Sequence, residues 1–211
     1  MKSFSVVLTY FQQPEMLAHA LYCLRQQTYL DFEVVPVFDE PDEQAAYVYN
    51  RFLLRNPDSR FQPIRVYPDR NPKHFGNDAR HWAMQWCLKD YVIWYGHDCL
   101  LDKDYLQTHA EQIQDDACIS IVGQVYFGTV EHPHRWHTLR GILPRNSDPG
   151  YLVMGGLDLL NFAMPLEAAR SWAWAKQKRA VYEADWETFR DVRINSQLPV
   201  RIHPAPVCAH F

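Results

Sequence analysis

The sequence predicts an α/β protein with a mostly parallel central sheet flanked by helices. Three observations lead there. In the first half, short continuous apolar runs alternate with segments of helical periodicity, as expected when strands are buried on both faces by crossover helices. The chain has 211 residues, and domains run to roughly 100–200 residues. No internal repeat, low-complexity tract or linker divides it, so residues 1–211 are expected to form one domain.

Each element follows from its local pattern. "FSVVLTY" (4–10) is rich in β-branched and aromatic residues and reads as a buried strand. Pro14 suits the first turn of a helix, and Leu17, Ala20, Leu21 and Leu24 recur at helical spacing. "FEVVPVF" (32–38) is a second strand, with Pro36 predicting an irregularity. Residues 43–54 read as a helix and "FQPIRVY" (61–67) as a weaker third strand. In "GNDARHWAMQWCLKD" (76–90), Ala79, Trp82, Ala83, Trp86 and Cys87 form an apolar stripe, with Asn77 or Asp78 as the cap. Tyr91 to Tyr95 is the next strand, ending in Gly96, His97, Asp98 and Cys99. Asp102 then caps a helix reaching about residue 115.

The second half is less regular. "CISIVGQVYFG" reads as one or two strands, and 129–150 as a long loop. Helical pattern returns at 165–178 and 183–192, before a final strand at 199–203. His132, His134 and His137 in "EHPHRWH" match no zinc spacing and read as part of that loop. Trp172 and Trp174 are two positions apart and cannot share a helix face, so at most one of them faces a ligand.

Composition narrows the function. With 47% hydrophobic and 22% charged residues, the chain resembles soluble globular proteins. A net charge of −4 without basic runs argues against avid binding to duplex nucleic acid, leaving only a local basic groove open. Five scattered cysteines without a C-x-x-C suit reduced thiols, and with them a cytoplasmic location. No apolar run reaches the ~20 residues of a membrane span, and "MKSFSVVLTYF" lacks the long apolar core of a secretion signal.

In an open α/β sheet, ligands bind beyond the carboxyl ends of the strands. Those ends carry Thr9-Tyr10-Phe11, Asp39-Glu40 and His97-Asp98. An aromatic face and several carboxylates on one rim suit a nucleotide, whose diphosphate needs Mg²⁺ or Mn²⁺ held by one or two carboxylates.

At this point a resemblance emerges. "FSVVLTYFQQPEMLAHALYCLRQQTYLDFEVVPVFDEPDE" resembles the opening of the family 2 nucleotide-sugar glycosyltransferases of GT-A fold. Gln27-Thr28-Tyr29 and Asp31-Phe32-Glu33 match that family's run into a second strand ending in Asp, here Asp39. "GNDARHWAMQWCLKDYVIWYGHDCLLDKDYL" is similar to its helix bearing Ala-Arg-Asn, its next strand and its Asp-x-Asp-like turn. "YEADWETFRDV" resembles the segment that supplies the catalytic base.

The resemblance implies a Rossmann-like GT-A domain, its nucleotide-binding half running to about residue 100 and its acceptor side beyond. It implies an inverting, metal-dependent transfer from a nucleotide-sugar, with UDP favoured, to an acceptor hydroxyl on a glycan, protein, small molecule or modified nucleotide. Thr9, Tyr10, Asp39, Arg80 and His97 would contact the nucleotide. Asp98 would hold the metal, with His203 or His210 as further ligands. Asp185 would be the general base, with Glu183 its competitor.

The chain also departs from the family. Leu8 replaces the Pro before Thr, His81 replaces the Asn after Ala-Arg, and the acidic turn keeps one carboxylate. An imidazole ligand from His97 would favour Mn²⁺ over Mg²⁺. Two rival functions remain: a non-catalytic nucleotide- or glycan-binding module with a degenerate metal turn, and a nucleotidyltransferase. The latter would call for a Gly- and basic-rich phosphate loop, which "LTYFQQPEM" lacks.

Overall fold

The computed structural model describes residues 2–69, 76–114, 116–126, 160, 162–172 and 184–210. Among these, eight strands form one sheet: β1 (Phe4–Tyr10), β2 (Phe32–Phe38), β3 (Arg65–Val66), β4 (Tyr91–Gly96), β5 (Cys99–Leu101), β6 (Ile119–Tyr126), β7 (Phe162–Pro165) and β8 (Val200–His210). Their order is β3-β2-β1-β4-β7-β6-β8-β5. The helices are α1 (Pro14–Arg25), α2 (Glu43–Arg55), α3 (Asn77–Ala83), α4 (Tyr105–Ile113), α5 (Leu166–Trp172) and α6 (Ala184–Ser196), and a 3-10 turn (Met84–Trp86) continues α3.

Two apolar layers sandwich the sheet. On one side, Phe4, Val6, Leu8 and Tyr10 of β1 pack with Leu17, Leu21 and Leu24 of α1, Tyr49 of α2 and Tyr105 and Leu106 of α4. On the other, Val7, Val35 and Trp94 pack with Ala79 and Ala83 of α3, Ala169 of α5, and Phe189 and Val192 of α6. The apolar spacing in α1 is what drives this: all four of its periodic residues are fully buried. Each buried leucine there contributes about 1.5–3 kcal/mol.

Strands β1 and β2 match their sequence limits, whereas β3 shrinks to Arg65–Val66, β8 extends to His210, and further features differ. The sheet is mostly parallel, as expected, but gains two short strands the sequence did not indicate: β7, antiparallel to β4 and β6, and β5, antiparallel to β8. Both strands are too short to show a period in sequence. The helix expected over 76–90 stops at Ala83 and tightens into the 3-10 turn. Pro36 causes no irregularity, and the β1–β2 ladder passes through Leu8↔Pro36 unshifted. Val34, of the same parity, exchanges hydrogen bonds with Arg60 and Gln62 on the β3 side. The missing Pro36 N–H therefore falls between the Val34–Phe61 bridge and the Val37–Phe38 ladder, where no ladder bond is required.

Candidate functional site

Because β1, β2 and β4 are parallel, their carboxyl ends share one rim. Two backbone bonds extend the ladders past the strands: Asp39 N–H donates to Tyr10 O at 2.9 Å, and His97 N–H to Thr9 O at 3.1 Å. Thr9, Asp39 and His97 are thereby fixed side by side.

Thr9 and Asp39 are nearly buried, at 6% and 5% exposure. Both follow strand residues whose side chains enter the α3-side layer, Val7 and Val37, so alternation turns them toward α3. Arg80 of α3 closes the group, its Nε donating to Thr9 Oγ1 at 3.3 Å and its Nη1 to Asn77 Oδ1 at 3.0 Å. Gly76 precedes α3 at φ +76°, a left-handed conformation that suits glycine at the point where the chain turns into the helix.

Tyr10 is placed differently from a base-lining residue. Its ring is fully buried, 4.6 Å from Phe38 and 5.0 Å from His97 between centroids. Its hydroxyl donates to Asp42 Oδ2 at 2.6 Å, while Asp42 Oδ1 caps α2 by accepting from Ala45 N–H at 2.9 Å. Burial and then the Asp42 hydrogen bond push the phenol pKa up, while the same bond and the cap hold the Asp42 carboxyl below its ordinary value. Tyr10 thus ties the rim to α2. Phe11, the residue that follows β1, is half-buried.

The turn carrying Asp98 is built tightly. A Cβ on Gly96 would meet Asp98 Oδ1 at 2.6 Å, so the absence of a side chain there lets the carboxylate fold back over the strand end. The Cys99 thiol donates to Asp98 Oδ1 at 3.6 Å, and the Tyr95 hydroxyl donates to Cys99 O at 2.8 Å. Among the described residues, no three His, Cys, Asp or Glu side chains gather as a metal cage. A single half-buried carboxylate still fits a divalent ion whose remaining ligands are substrate phosphate oxygens and water.

The two C-terminal histidines separate. His210 stands opposite Cys99 in the β5–β8 pairing, one position from Asp98. Its side chain lies outside the described residues. His203 stands opposite Val122, seven positions earlier on β8, roughly 20 Å from His210 along the strand. It sits near buried His109, whose pKa it helps to lower. The structure therefore does not bring His203 to the Asp98 turn. Asp185 is the second residue of α6, and its side chain is not among those described. Glu183, Trp174 and the histidines of "EHPHRWH" also fall outside the described residues.

Several matched motif residues hold the frame. The Gln27 amide donates to Cys23 O and Asp102 O and accepts from Leu106 N–H, while Thr28 Oγ1 donates to Asp104 Oδ1. They bind the end of α1 to the start of α4. Glu33 is 7% exposed and accepts from Ser5 Oγ, Leu88 N–H and Gln62 Nε2 at the amino end of the sheet, opposite the rim. Asn77, Tyr95 and Gly96 contribute to the site without having been singled out. Asn77, which the sequence offers as a cap, instead accepts from Arg80 at the i, i+3 spacing that signals such a pair.

Comparison with known proteins accords with this geometry. The model of the glycosyl transferase family 2 matches residues 5–196. No curated protein sequence matches the chain. Among solved structures, S. aureus TarS 1–349 superposes with a TM-score of 0.70 at 14% identity, covering 99% of this chain and 60% of that one. The mannosyltransferase PcManGT of Pyrobaculum calidifontis, in complex with GDP-Man and Mn²⁺, gives 0.71 at 14% identity, covering 99% and 56%. TarS in complex with UDP-GlcNAc gives 0.68 at 13% identity, covering 98% and 58%. The chain thus spans a little over half the length of these proteins. At such identities the structures establish the GT-A fold, and the sequence model matching nearly the whole chain establishes the kinship: this protein belongs to glycosyl transferase family 2.

Proposed function

We propose that the protein transfers a sugar from a nucleotide-sugar, with UDP as nucleotide, to an acceptor hydroxyl, inverting the anomeric centre. The observation that carries this reading is the convergence of Thr9, Asp39, Arg80 and the Asp98 turn on one rim of a family 2 chain. That solved neighbours hold UDP-GlcNAc or GDP-Man supports a nucleotide-sugar donor.

In this reading Asp39 accepts from the base N–H, Arg80 lies by the base or diphosphate, Phe11 offers the aromatic face, and His97 contacts the ribose. Asp98 would hold Mn²⁺ or Mg²⁺, with His210 as the candidate second protein ligand, and the ion would neutralise charge on the departing diphosphate. Asp185, or failing it Glu183, takes the acceptor proton. The acceptor oxygen forms its bond to the anomeric carbon as the carbon–diphosphate bond breaks. The chain's residues position and stabilise, and no covalent nucleophile is required.

Calorimetry with UDP, with and without Mn²⁺, tests the reading. Binding strengthened by Mn²⁺ and lost in Asp98→Ala supports it, and binding indifferent to both overturns the metal site. Transfer lost in Asp185→Asn with donor binding intact supports the base. Transfer unchanged in that variant shifts the role to Glu183.

A further inference from the structure

The outer face of α1 and α2 gathers apolar groups that the core does not use. Among the described residues, four of the seven large apolar side chains left exposed lie there or on the turn after α1. They are Leu54, Leu30, Tyr47 and Tyr22, at 82, 67, 61 and 60% exposure. The same face carries Arg25, Arg51 and Arg55, all exposed. We infer that this face is a docking surface for an anionic lipid bilayer.

The fold explains why these groups lie together. Each helix follows a strand of the parallel set β1, β2 and β3, so α1 and α2 run side by side away from the rim and pack on each other. Leu17, Ala20, Leu21 and Leu24 of α1 and Ala45 and Tyr49 of α2 are buried inward. Helical period then turns Tyr22 and Arg25, at i and i+3, and Tyr47, Arg51 and Leu54, at i, i+4 and i+7, to the outside. The Arg60 hydrogen bond, and at longer range Arg25, hold the Asp58 carboxyl below its ordinary value, which sets the end of α1 beside the turn after α2.

The charge pattern selects the occupant. Glu15 and Glu43 stand in the first turns of the two helices, at the rim end, whereas the last two turns of each carry arginine alone as a charged residue. The carboxylate of Asp58 is taken by Arg60 at 2.6 Å. On a chain of net charge −4 this end therefore opposes the sign of the whole, which orients the molecule toward an anionic surface. Apolar and basic residues alternate along α2, so a partner helix finds no continuous seam, and a protein interface would bury the guanidinium groups at a desolvation cost. A bilayer meets both needs at once. Its phosphates pair with arginine at the depth where tyrosine rings and a leucine side chain enter the acyl boundary. Arg51 is already held against Tyr47, its Nη1 donating to the phenol oxygen at 3.3 Å and its guanidinium 5.8 Å from the ring centroid.

Position keeps the rim open. At 1.5 Å per residue, Tyr22 lies about 12 Å and Leu54 about 16 Å beyond the starts of their helices at the rim. Docking through this face leaves Thr9, Asp39 and Asp98 accessible, and the inference does not depend on the transferase reading.

Co-sedimentation with vesicles tests it, using phosphatidylcholine alone and phosphatidylcholine with about one-third phosphatidylglycerol, each at low and at physiological salt. Binding is expected only to the vesicles containing phosphatidylglycerol, and weaker as salt rises. Arg51→Gln and Arg55→Gln should each weaken it by about fivefold, the contribution of one arginine near an anionic surface. Leu54→Ser should weaken it by about tenfold, the loss of one inserted leucine. Tm should be unchanged in all three variants. The inference is overturned if phosphatidylglycerol vesicles are not bound, if phosphatidylcholine vesicles are bound as well, or if the variants bind like wild type. Binding that falls in the arginine variants but not in Leu54→Ser overturns it too, because a contact with free anions behaves in that way. A wild-type dimer in sedimentation velocity that Leu54→Ser dissociates gives the face to a second copy of the chain and overturns it equally.

Discussion

The Tyr95 hydroxyl reaches across the strand end to Cys99 O, 2.8 Å away, and so closes the loop that carries Asp98. Tyr95 is fully buried, and burial pushes its pKa well up, so the hydroxyl stays protonated and donating. Tyr95→Phe removes that hydrogen bond, at a cost of about 0.5–1.5 kcal/mol. For a chain of this size each kcal/mol lowers Tm by roughly 2–4 °C. A thermal melt should show that drop, and calorimetry a loss of Mn²⁺-dependent UDP binding. Gly96→Ala should weaken the same binding by displacing Asp98 Oδ1, and an unchanged affinity would show that the carboxylate's folded-back position does not matter.

On the proposed function, donor recognition divides between Asp39 and Asp98, and two variants separate the parts. Asp39→Ala is expected to weaken UDP binding by about tenfold with or without metal, the loss of a hydrogen bond to a charged acceptor. Asp98→Ala should leave metal-free binding as it was and remove the gain from Mn²⁺. Titrating both variants under both conditions gives the four numbers required.

Glu33 lies far from the rim, so its loss should cost stability and not recognition. Glu33→Ala removes the acceptor of Leu88 N–H and one partner each of Ser5 and Gln62, which keep Lys89 N–H and Trp86 O. An unfolding free energy lower by about 2–4 kcal/mol in urea is expected, given what buried unsatisfied groups cost. UDP affinity at a temperature where the variant is folded should match wild type.

Acid stability should report on His109. The ring is fully buried, its Nδ1 2.7 Å from Ser120 Oγ, and burial, then nearby His203, lower its pKa to about 3. The unfolded chain binds this proton near the ordinary value of about 6.5, whereas the folded chain does not. The resulting stability is complete above about pH 6.5 and is lost progressively as pH falls toward 3, by up to ~1.4 kcal/mol per pH unit. His109→Phe should be less stable at pH 7, having lost the Ser120 bond, but show a shallower decline between pH 6 and 4. An equal slope in both proteins would assign the acid sensitivity to other groups.

The legible parts of the fold are those where one physical signal dominates. Phe4–Tyr10, Phe32–Phe38 and Tyr91–Gly96 are continuous apolar runs buried on both faces, and α1 shows its four buried positions at helical spacing. Strands β5 and β7 escape the same reading because three or four residues carry no period, and their existence depends on β8, β4 and β6 supplying edges. In the site, Thr9, Asp39 and Asp98 were legible as polar groups ending apolar runs. The bond from the Tyr10 hydroxyl to Asp42 was not, because it joins the strand to the cap of a helix distant in sequence. Gln27, Thr28 and Glu33 show the reverse: the match to a family pattern was legible, but their structural role required the partners, which are distant in sequence.

The pairing of Cys99 with His210 has a temporal consequence. Strands β1, β2 and β4 meet through segments made early in synthesis, whereas β5 finds its partner only after more than a hundred further residues have been added. Contacts so distant in sequence form late, because closing the intervening chain costs entropy before any contact offsets it. A nascent chain can therefore assemble the rim of Thr9, Asp39 and Arg80 while the Asp98 turn still lacks its flanking strand. Pairing with β8 then supplies the strand that flanks the Asp98 turn.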